Sequence, residues 1–516
     1  MSQLGFWNFA QRDPQRLALA DPDGRDWTRG ELLASCNRIV HGLRALGLEK
    51  GDCVATVLPN GAAMIELYLA VAQAGWYMTP INHHLTAPEI AYIVGDCEAK
   101  VFVGHERFAE ACRSAAQELD FPADGRFAVG EVAGFRPYAE LSAGQPDSLP
   151  DERAAGQVMN YTSGTTGRPK GVRRGLAPLD PDTVATLLSG FLGLFGAKAE
   201  DENVHLCGSP LYHTAVLVFA SASMHLGHPV VLMDKWTPET MLELIDKYRA
   251  TTSHMVPTQF HRLLGLPEDV RRKYDVSSLR YMVHAAAPCP VETKWKMLEW
   301  WGDSIYEYYA ATEGGGTVVT PQEWRAHPGT VGRAWANAEV RVLDEAGEDC
   351  PVGQPGTVYM KLGAADFEYK GDKKKTAESR RAGFFTVGDI GYLDEEGYLF
   401  LCDRKSDMII SGGVNIYPAE IESVLVTHPK VRDAAVFGIP HADWGEEVKA
   451  VIEPEQGTGS GAALADEILD FCRDKLAKYK TPRSIDFIAE MPRDPNGKLY
   501  KRKLRDPYWE KQERAI

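Results

Sequence analysis

The first part of the chain contains two kinds of apolar pattern, a helical spacing and a short continuous run. Between positions 32 and 46, apolar residues recur every three or four positions, which is the spacing of one helix face. Thr28 and Glu31 precede this run at the spacing of a capping box, and Gly47 follows it as a helix stop. The next segment, 52–58, is short and mainly apolar, which favours a buried strand.

This order of helix and strand is repeated up to about residue 325. It favours a mainly parallel sheet covered by helices, so we expect two doubly wound α/β units. Residues 120–155 are richer in Gly, Pro and Asp and are expected to be connecting structure. The remaining strands predicted here are 77–80, 100–103, 229–233, 252–256, 281–283 and 304–307, and the remaining helices are 62–75, 88–94, 238–248, 257–264 and 291–301.

The pattern changes beyond about residue 330. Short strands separated by Gly and Asp turns indicate a small β module, and a mixed pattern follows Arg404. The chain is thus predicted to be α/β, with two doubly wound subdomains, a small β module and a small α+β domain. The strands predicted in this part are 340–343, 356–361, 384–387, 398–402, 431–439 and 447–453, and its helices are 418–426 and 464–476.

Composition narrows the class of protein. A chain of 516 residues is too long for one core, so two to four domains are expected. A net charge of −16 argues against broad nucleic-acid binding. Nine cysteines without a C-x-x-C pair favour free thiols, and a cytoplasmic location is predicted. No transmembrane segment is predicted, because polar residues and Pro229 interrupt the most apolar run, 214–233.

The stretch Tyr161–Gly171 has a composition that no core element requires. It combines glycines, hydroxyl side chains including that of Tyr161, and the cations Arg168 and Lys170, directly after a predicted short strand. Glycines let backbone N–H groups approach an anion, and hydroxyls and cations stabilise phosphate oxygens. The spacing is not that of a Walker A loop. A phosphate-binding loop is the favoured interpretation, and a flexible surface turn is the alternative.

This stretch resembles the phosphate loop of the acyl-adenylate-forming, or AMP-forming, superfamily, and further motifs of that family follow in order. The resemblance spans about residues 25–505 and is greatest to bacterial acyl-CoA synthetases. It implies ATP, Mg²⁺ and CoA as cofactors, an N-terminal domain of residues 1–405 and a mobile C-terminal domain of residues 406–516. The loop residues implied to bind the nucleotide are Thr162, Ser163, Gly164, Thr165, Thr166, Gly167 and Lys170.

Two later motifs resemble the family's adenine and metal sites. The first is similar to Y-G-x-T-E, which implies that Tyr309 stacks on adenine, Thr312 reaches the α-phosphate and Glu313 holds Mg²⁺. Without the resemblance, this motif could be a packed aromatic strand end. The second follows the predicted strand 281–283 and resembles a small-residue wall beside adenine. Its implied contact residues are Ala286, Ala287 and Pro288.

Three further residues are implied to act around the acyl and ribose sites. His213 ends a motif whose last residue gates the carboxylate, although alone it would more often be a core histidine. Asp389 matches a carboxylate that accepts hydrogen bonds from ribose hydroxyls, although alone it would be a turn residue. Arg404 corresponds to an arginine that contacts ribose or phosphate.

The C-terminal part carries residues implied to move and to bind CoA. Ser406 occupies the hinge position, where a small residue can absorb a backbone rotation. Gly412 and Gly413 are implied to line the pantetheine tunnel, and Trp444 to pack on the CoA nucleotide. Lys498 matches the catalytic lysine, whose ammonium bridges the carboxylate and the α-phosphate. The cations that follow Lys498, Lys501 included, are typical of a solvated face or of a weak anion patch.

The resemblance implies two half-reactions, in which a carboxylate and ATP give acyl-AMP and pyrophosphate, and CoA then takes the acyl group. The alternatives are a ligase that loads a carrier protein, an oxygenase of the luciferase type and a catalytically silent nucleotide-binding regulator. The glycine run 314–316 leaves volume, which favours a medium-to-long-chain or bulky polycyclic acid. The expected partners are that acid, ATP and CoA, with no nucleic acid, and a homodimer is the default oligomer.

Overall fold

The structure is a computed structural model that describes residues 4–162, 169–311, 314–363, 368–369, 373–493 and 499–509. Its helices are α1 (Phe6–Arg12), α2 (Arg29–Ala45), α3 (Ala62–Ala74), α4 (Ala87–Asp96), α5 (Ala109–Glu118), α6 (Pro181–Gly193), α7 (Thr214–His225), α8 (Pro238–Tyr248), α9 (Pro257–Leu264), α10 (Glu268–Arg271), α11 (Val291–Trp301), α12 (Pro321–Ala326), α13 (Lys373–Glu378), α14 (Pro418–Leu425), α15 (Ala462–Lys475) and α16 (Lys501–Trp509).

Its strands are β1 (Leu17–Ala20), β2 (Asp26–Thr28), β3 (Cys53–Thr56), β4 (Tyr77–Pro80), β5 (Ala99–His105), β6 (Arg126–Val129), β7 (Arg136–Pro137), β8 (Gln157–Val158), β9 (Asn160–Thr162), β10 (Lys170–Arg173), β11 (His205–Cys207), β12 (Val230–Leu232), β13 (Thr252–Met255), β14 (Tyr281–His284), β15 (Ile305–Ala310), β16 (Gly316–Val319), β17 (Arg333–Ala334), β18 (Ala338–Leu343), β19 (Gly356–Leu362), β20 (Glu368–Tyr369), β21 (Arg380–Arg381), β22 (Phe384–Phe385), β23 (Asp389–Leu393), β24 (Leu399–Arg404), β25 (Ile409–Ser411), β26 (Val414–Ile416), β27 (Val431–His441), β28 (Gly445–Pro454) and β29 (Ser484–Phe487).

The chain forms two compact units. The first comprises Met1–Met255, Leu266–Val283 and Ala364–Glu378, and the second comprises Val256–Gly265, His284–Gly363 and Ser379–Ile516.

The first unit contains two sheets built on parallel strands. One has the order β7-β6-β5-β3-β4-β8, and all of its neighbouring strands are parallel. The other contains the order β14-β13-β11-β12-β1-β2, in which β13, β11, β12 and β1 are parallel. Because parallel strands end at the same edge, the loops that follow them gather chemistry there. α3 is buried on nearly every side, as its almost wholly apolar sequence requires.

The second unit is mainly antiparallel. β15, β16 and β17 form a meander, and β18, β19 and β21–β24 form the predicted small β module. The C-terminal sheet has the order β26-β25-β28-β27, and β29 pairs parallel to β28. Ile409, Ile421, Val436 and Ile468 lie in its core, so β25, α14, β27 and α15 bury a common face.

The predicted α/β class is confirmed. α8, α9 and α11 begin and end at the predicted residues, and the capping box of α2 is formed, with Thr28 Oγ1 accepting from Glu31 N at 3.2 Å. The interpretation of 120–155 as connecting structure is wrong in part, because β6 adds a parallel strand to β5. Its four residues have no capping or turn signal that separates them from a loop.

Two features of composition have a structural counterpart. All nine cysteines carry free thiols. Among the described residues, no helix combines the length and hydrophobicity needed to span a bilayer.

The first unit buries four histidines beside its parallel sheet. His205, His225, His228 and His254 are each less than 5% exposed. Burial lowers the pKa of His205, His225 and His254 to about 3 and that of His228 to about 4. All four imidazoles are therefore neutral in the folded unit well below the pH at which an exposed histidine takes up a proton.

This burial predicts acid sensitivity. Below about pH 6.5 the unfolded chain takes up protons that the folded unit refuses, so stability falls as the pH drops towards 4, by about 1 kcal/mol per pH unit for each histidine. Chemical unfolding between pH 7.5 and 5 measures this slope. His228→Gln, which keeps a donor for the Lys198 carbonyl, is expected to reduce it by one histidine's share, and an unchanged slope contradicts the prediction.

Candidate active site

The glycine-rich stretch connects two antiparallel strands of the first unit. β9 and β10 pair with Thr162 opposite Lys170 and Tyr161 opposite Gly171. The strand predicted before the loop is present, since β8 pairs with β4 and β9 follows it. The residues that join β9 to β10, and with them the predicted contacts of Ser163, Gly164, Thr165, Thr166 and Gly167, lie outside the described residues.

Tyr161 is engaged elsewhere. Its hydroxyl donates to Asp96 Oδ2 at 2.5 Å, at the last residue of α4. Burial, followed by this hydrogen bond, raises the pKa of the Tyr161 phenol well above its usual range. The interpretation that counted this hydroxyl among the phosphate donors is therefore wrong, and the side chain instead fastens β9 to α4.

His213 lies at the carboxyl edge of the first unit's second sheet. It is the cap residue of α7, after the loop that leaves β11, and its ring lies 4.3 Å from that of Tyr212. His213 therefore follows a strand and precedes an apolar helix, and its role as the carboxylate gate stays a prediction. His83, a residue that the sequence did not single out, lies next to Tyr212. Its ring stacks on Phe108 and meets the Tyr212 ring edge-on. Burial lowers the pKa of His83 to about 4.

One buried amide holds the loop that carries His213. Asn60 Nδ2 donates to Ser209 O at 3.0 Å and to Met233 O at 2.9 Å, and Leu211 N donates to Asn60 Oδ1 at 2.7 Å. Asn60 thereby joins the loops that follow β11 and β12. The sequence contains no signal for this role beyond a polar residue after a buried strand, because its three partners lie about 150 residues away.

In the second unit, three predicted nucleotide residues lie together. The Tyr309 hydroxyl donates to Asp389 Oδ2 at 2.5 Å, and Arg404 Nε lies 3.7 Å from Asp389 Oδ1. Arg404 is also opposite Asp389 in the antiparallel pair of β23 and β24. Asp389 is nearly buried, whereas Arg404 is about half exposed. A carboxylate beside an aromatic ring and a solvent-facing guanidinium can accept from ribose hydroxyls and offer a cation to phosphate.

The predicted adenine wall contains a strained residue. Ala286 has φ 72°, a left-handed conformation that costs a non-glycine residue about 1 kcal/mol or more. Ala286 and Pro288 are exposed and Ala287 is partly exposed, so this turn presents backbone and small side chains to solvent. A flat base can approach such a surface closely.

A buried charged network supports the strand of Tyr309. Glu307 of β15 pairs with Lys294 Nζ at 2.5 Å and lies 3.4 Å from His284 Nε2, and Lys294 and His284 are fully buried. Burial lowers the pKa of Lys294 and raises that of Glu307, and the ion pair opposes both shifts. Removing one partner of such a pair costs about 3–5 kcal/mol.

The glycine run has a packing role that the sequence interpretation missed. Gly316 pairs with Ala310 in the turn from β15 to β16, and a Cβ there would lie 2.1 Å from Tyr309 O and 2.7 Å from the Trp335 ring. Gly316 therefore allows close approach within the meander and leaves no volume for a substrate. Gly316 therefore gives no support for a large acid.

The residues implied to bind CoA form a second group in this unit. Gly412 and Gly413 connect β25 and β26 as a two-residue turn, and their φ values of 57° and 79° are those of a type I′ turn. Gly412 N donates to Trp444 O at 2.9 Å. The exposed Trp444 ring stacks on His441, and Arg483 lies over it at 4.7 Å. Ser406 lies in the turn between β24 and β25, which belong to different sheets.

The base of the loop that carries Lys498 is fixed by an ion pair. Residues 494–498 lie outside the described residues, and Arg493 and Leu499 on either side form an antiparallel bridge. Arg493 donates two hydrogen bonds to the Asp433 carboxylate of β27, at 2.5 and 2.7 Å. This bidentate pair, which sequence analysis missed, holds the position from which the loop leaves the sheet.

Lys501 departs from its predicted place on a solvated face. Its side chain is 13% exposed and its ammonium lies 2.8 Å from the Glu422 carboxylate of α14. The solvated-face interpretation is wrong for this residue, which fastens α16 to the C-terminal core.

The remaining predicted catalytic residues, Thr312 and Glu313, also lie outside the described residues. Within the described ranges, no group of His, Cys, Asp and Glu has the arrangement of a metal site. The predicted role of Glu313 toward Mg²⁺ stays a prediction.

Known proteins are similar to this chain in sequence and in fold. The AMP-binding enzyme family matches residues 6–364, and the AMP-binding enzyme C-terminal domain matches residues 420–498. The chain is 32% identical to the long-chain-fatty-acid–CoA ligase FadD13 of Mycobacterium tuberculosis over 98% of this chain and 99% of that protein. It is also 32% identical to the fatty acid–[acyl-carrier-protein] ligase ScoC of Streptomyces coeruleorubidus over 97% of this chain and 95% of that one.

A solved structure agrees. The anthranilate CoA ligase AuaEII, crystallised with anthranoyl-AMP, superposes with a TM-score of 0.85 at 26% identity and covers 98% of each chain. The chain therefore belongs to the family of AMP-binding enzymes. The predicted reaction class is confirmed: it is an AMP-forming acid–thiol ligase that uses ATP.

The three hydrogen bonds of Asn60 predict how much stability its removal costs. Asn60→Ala leaves two carbonyls and one N–H without their partner, so unfolding free energy should fall by about 2–4 kcal/mol. The specificity constant for the acid should fall more than that for ATP, because the loop that carries His213, the predicted carboxylate gate, loses its anchor. Asn415→Ala, on an exposed strand, is the control and should change stability by less than about 0.5 kcal/mol. Equal effects of the two substitutions contradict this role of Asn60.

Proposed function

We propose that this ligase activates a medium-to-long-chain or bulky polycyclic carboxylic acid as an acyl-AMP and transfers the acyl group to CoA. The observation that supports nucleotide activation best is the group formed by Tyr309, Asp389 and Arg404. The Asp389 carboxylate would orient the ribose, the Tyr309 ring would lie against adenine, and Arg404 would offset phosphate charge. The strained turn at Ala286 would leave room for the base.

Charge neutralisation and positioning would dominate adenylation, since phosphoryl chemistry asks little covalent work of the protein. Thr162, Lys170 and the loop between them would hold the pyrophosphate, and Thr312 the α-phosphate. Glu313 would bind Mg²⁺, which supplies further positive charge to the phosphate oxygens when bound. Lys498 would bridge the acid and the α-phosphate, and His213 would gate the carboxylate.

The second half-reaction would use the C-terminal part of the chain. We propose a division at residues 405/406, with rotation at Ser406 that exchanges Lys498 for Gly412 and Gly413. Trp444, an exposed ring beside His441 and Arg483, would pack against the CoA nucleotide. A cytoplasmic homodimer is the setting we propose.

The apolar helix that follows His213 bears on the choice of acid. A free carboxylic acid with a large apolar part is consistent with the apolar α7 that begins beside His213. The relatives described above are named for both fatty and aromatic acids, and one is named for a carrier protein as acceptor. Loading of a carrier protein is therefore the second candidate.

A panel of acids tests this proposal. Pyrophosphate release with ATP should be at least about 100-fold more efficient for octanoate or a steroid carboxylate than for acetate, because each buried CH₂ contributes about 0.8 kcal/mol. AMP release should rise on addition of CoA. Lys498→Ala should lower release by about 10²–10³ for every acid, whereas Lys503→Ala, a neighbouring exposed lysine, should leave it unchanged.

Each result decides one part of the proposal. Preference for acetate contradicts the proposed substrate class. Acyl transfer to an acyl-carrier protein but not to CoA favours the second candidate. Absence of pyrophosphate release with all of these acids contradicts both.

A further inference from the structure

The first unit has a second edge that the proposed chemistry leaves unused. Its parallel strands β1, β11, β12 and β13 end at the edge that carries the His213 loop, and they begin at the opposite edge. A cavity of about 550 Å³ lies at that opposite, amino edge. Half of its lining residues lie immediately before a strand. Five lining residues directly precede β1, β11, β12, β13 and β14, namely Arg16, Val204, Pro229, Thr251 and Arg280.

The lining of this cavity is basic in an acidic protein. Three arginines and one glutamate face it, although the chain as a whole carries a net charge of −16. Arg249 is already paired with Asp275 and also donates to Ser277 Oγ at 3.1 Å. In the described part of the chain, Arg16 and Arg280 have no carboxylate within ion-pair distance. Two guanidinium groups thus face the cavity without a partner acid.

A buried amide in the same wall is also incompletely bonded. Asn203 is 1% exposed, and its Oδ1 accepts from Thr251 Oγ1 at 3.0 Å. Its Nδ2 has no hydrogen-bond partner among the described residues. A buried amide donor without a partner costs about 1–3 kcal/mol, so such groups normally have one. The contrast is sharp with Asn60 at the opposite edge, where the amide oxygen and nitrogen are both fully used.

We infer that this cavity is a binding site for a phosphate group. The two arginines without a partner acid and the Asn203 amide are able to donate to an anion's oxygens. Arginine forks match the geometry of phosphate, and the cavity has room for an organic substituent on it. The phosphate belongs either to a soluble monoester or to a lipid headgroup. The inference stands on the first unit alone and does not depend on the proposed function.

Glu202 provides a test that runs in the opposite direction. It is exposed, and its carboxylate faces the same cavity as the arginines. A negative charge at this place repels an anionic ligand, so removing it should strengthen binding. A site that binds through general surface attraction or through the nucleotide pocket is not expected to respond to this one residue.

The experiment is calorimetric titration of the full-length protein with inorganic phosphate and with glycerol 3-phosphate. A non-hydrolysable ATP analogue is present at saturation to occupy the nucleotide site. Arg280→Gln is expected to weaken binding about tenfold or more, and Glu202→Gln to tighten it about threefold. Arg113→Gln, on an exposed arginine paired with Glu110, is the matched control and should leave the affinity unchanged. All three positions are exposed, and acid-dependent pyrophosphate release should stay at the wild-type level.

A second arm separates the two sources of phosphate. Sedimentation with phosphatidylcholine vesicles, with and without phosphatidic acid, is measured for the same variants. Binding of glycerol 3-phosphate with the predicted order of variants supports a soluble ligand. Sedimentation that requires phosphatidic acid and follows the same order supports a lipid headgroup. Absence of binding in both arms, or binding that neither Arg280→Gln nor Glu202→Gln alters, overturns the inference.

Discussion

The hydrogen bond from Tyr309 to Asp389 is the interaction on which the proposed nucleotide site depends. It joins two strands that lie 80 residues apart in sequence, one in the β15–β17 meander and one in the β module. Asp389 in turn brings Arg404 to the same place through the β23–β24 ladder. The meander must therefore keep the Tyr309 hydroxyl within hydrogen-bonding distance of Asp389. The buried Glu307–Lys294 pair and the close approach at Gly316 both serve that requirement.

In the first unit, buried asparagine side chains hold the loops in place. Parallel strands leave their connecting loops at two edges, and backbone groups in those loops need partners once they are buried. At the carboxyl edge, Asn60 supplies three hydrogen bonds and holds the loop before His213. At the amino edge, the oxygen of Asn203 accepts from Thr251, and its nitrogen has no hydrogen-bond partner among the described residues. One type of residue thus has a structural role at one edge and a proposed ligand-binding role at the other.

Sequence analysis predicted most of what depends on local signals. α2 was found because its cap residue and its apolar periodicity are signals within a short stretch of sequence. The grouping of Tyr309, Asp389 and Arg404 was implied by resemblance and could not be derived from spacing. Asn60, Asp433 and the hydroxyl of Tyr161 escaped because their partners lie about 60 residues or more away. Gly316 was misinterpreted because a glycine that admits a neighbouring ring looks, in sequence, like one that leaves a space.

The central claim is that Asp389 and its neighbours form the nucleotide-binding site, and the affinity for ATP in the absence of acid tests it most directly. Replacing Asp389 with alanine removes the carboxylate that Tyr309 and Arg404 share. The dissociation constant of ATP should rise at least about tenfold, since hydrogen bonds to a charged group contribute about 1.5–3 kcal/mol. Asp349→Ala, on an exposed carboxylate of the same β module, should bind ATP as the wild type does. An unchanged affinity in Asp389→Ala would contradict the account.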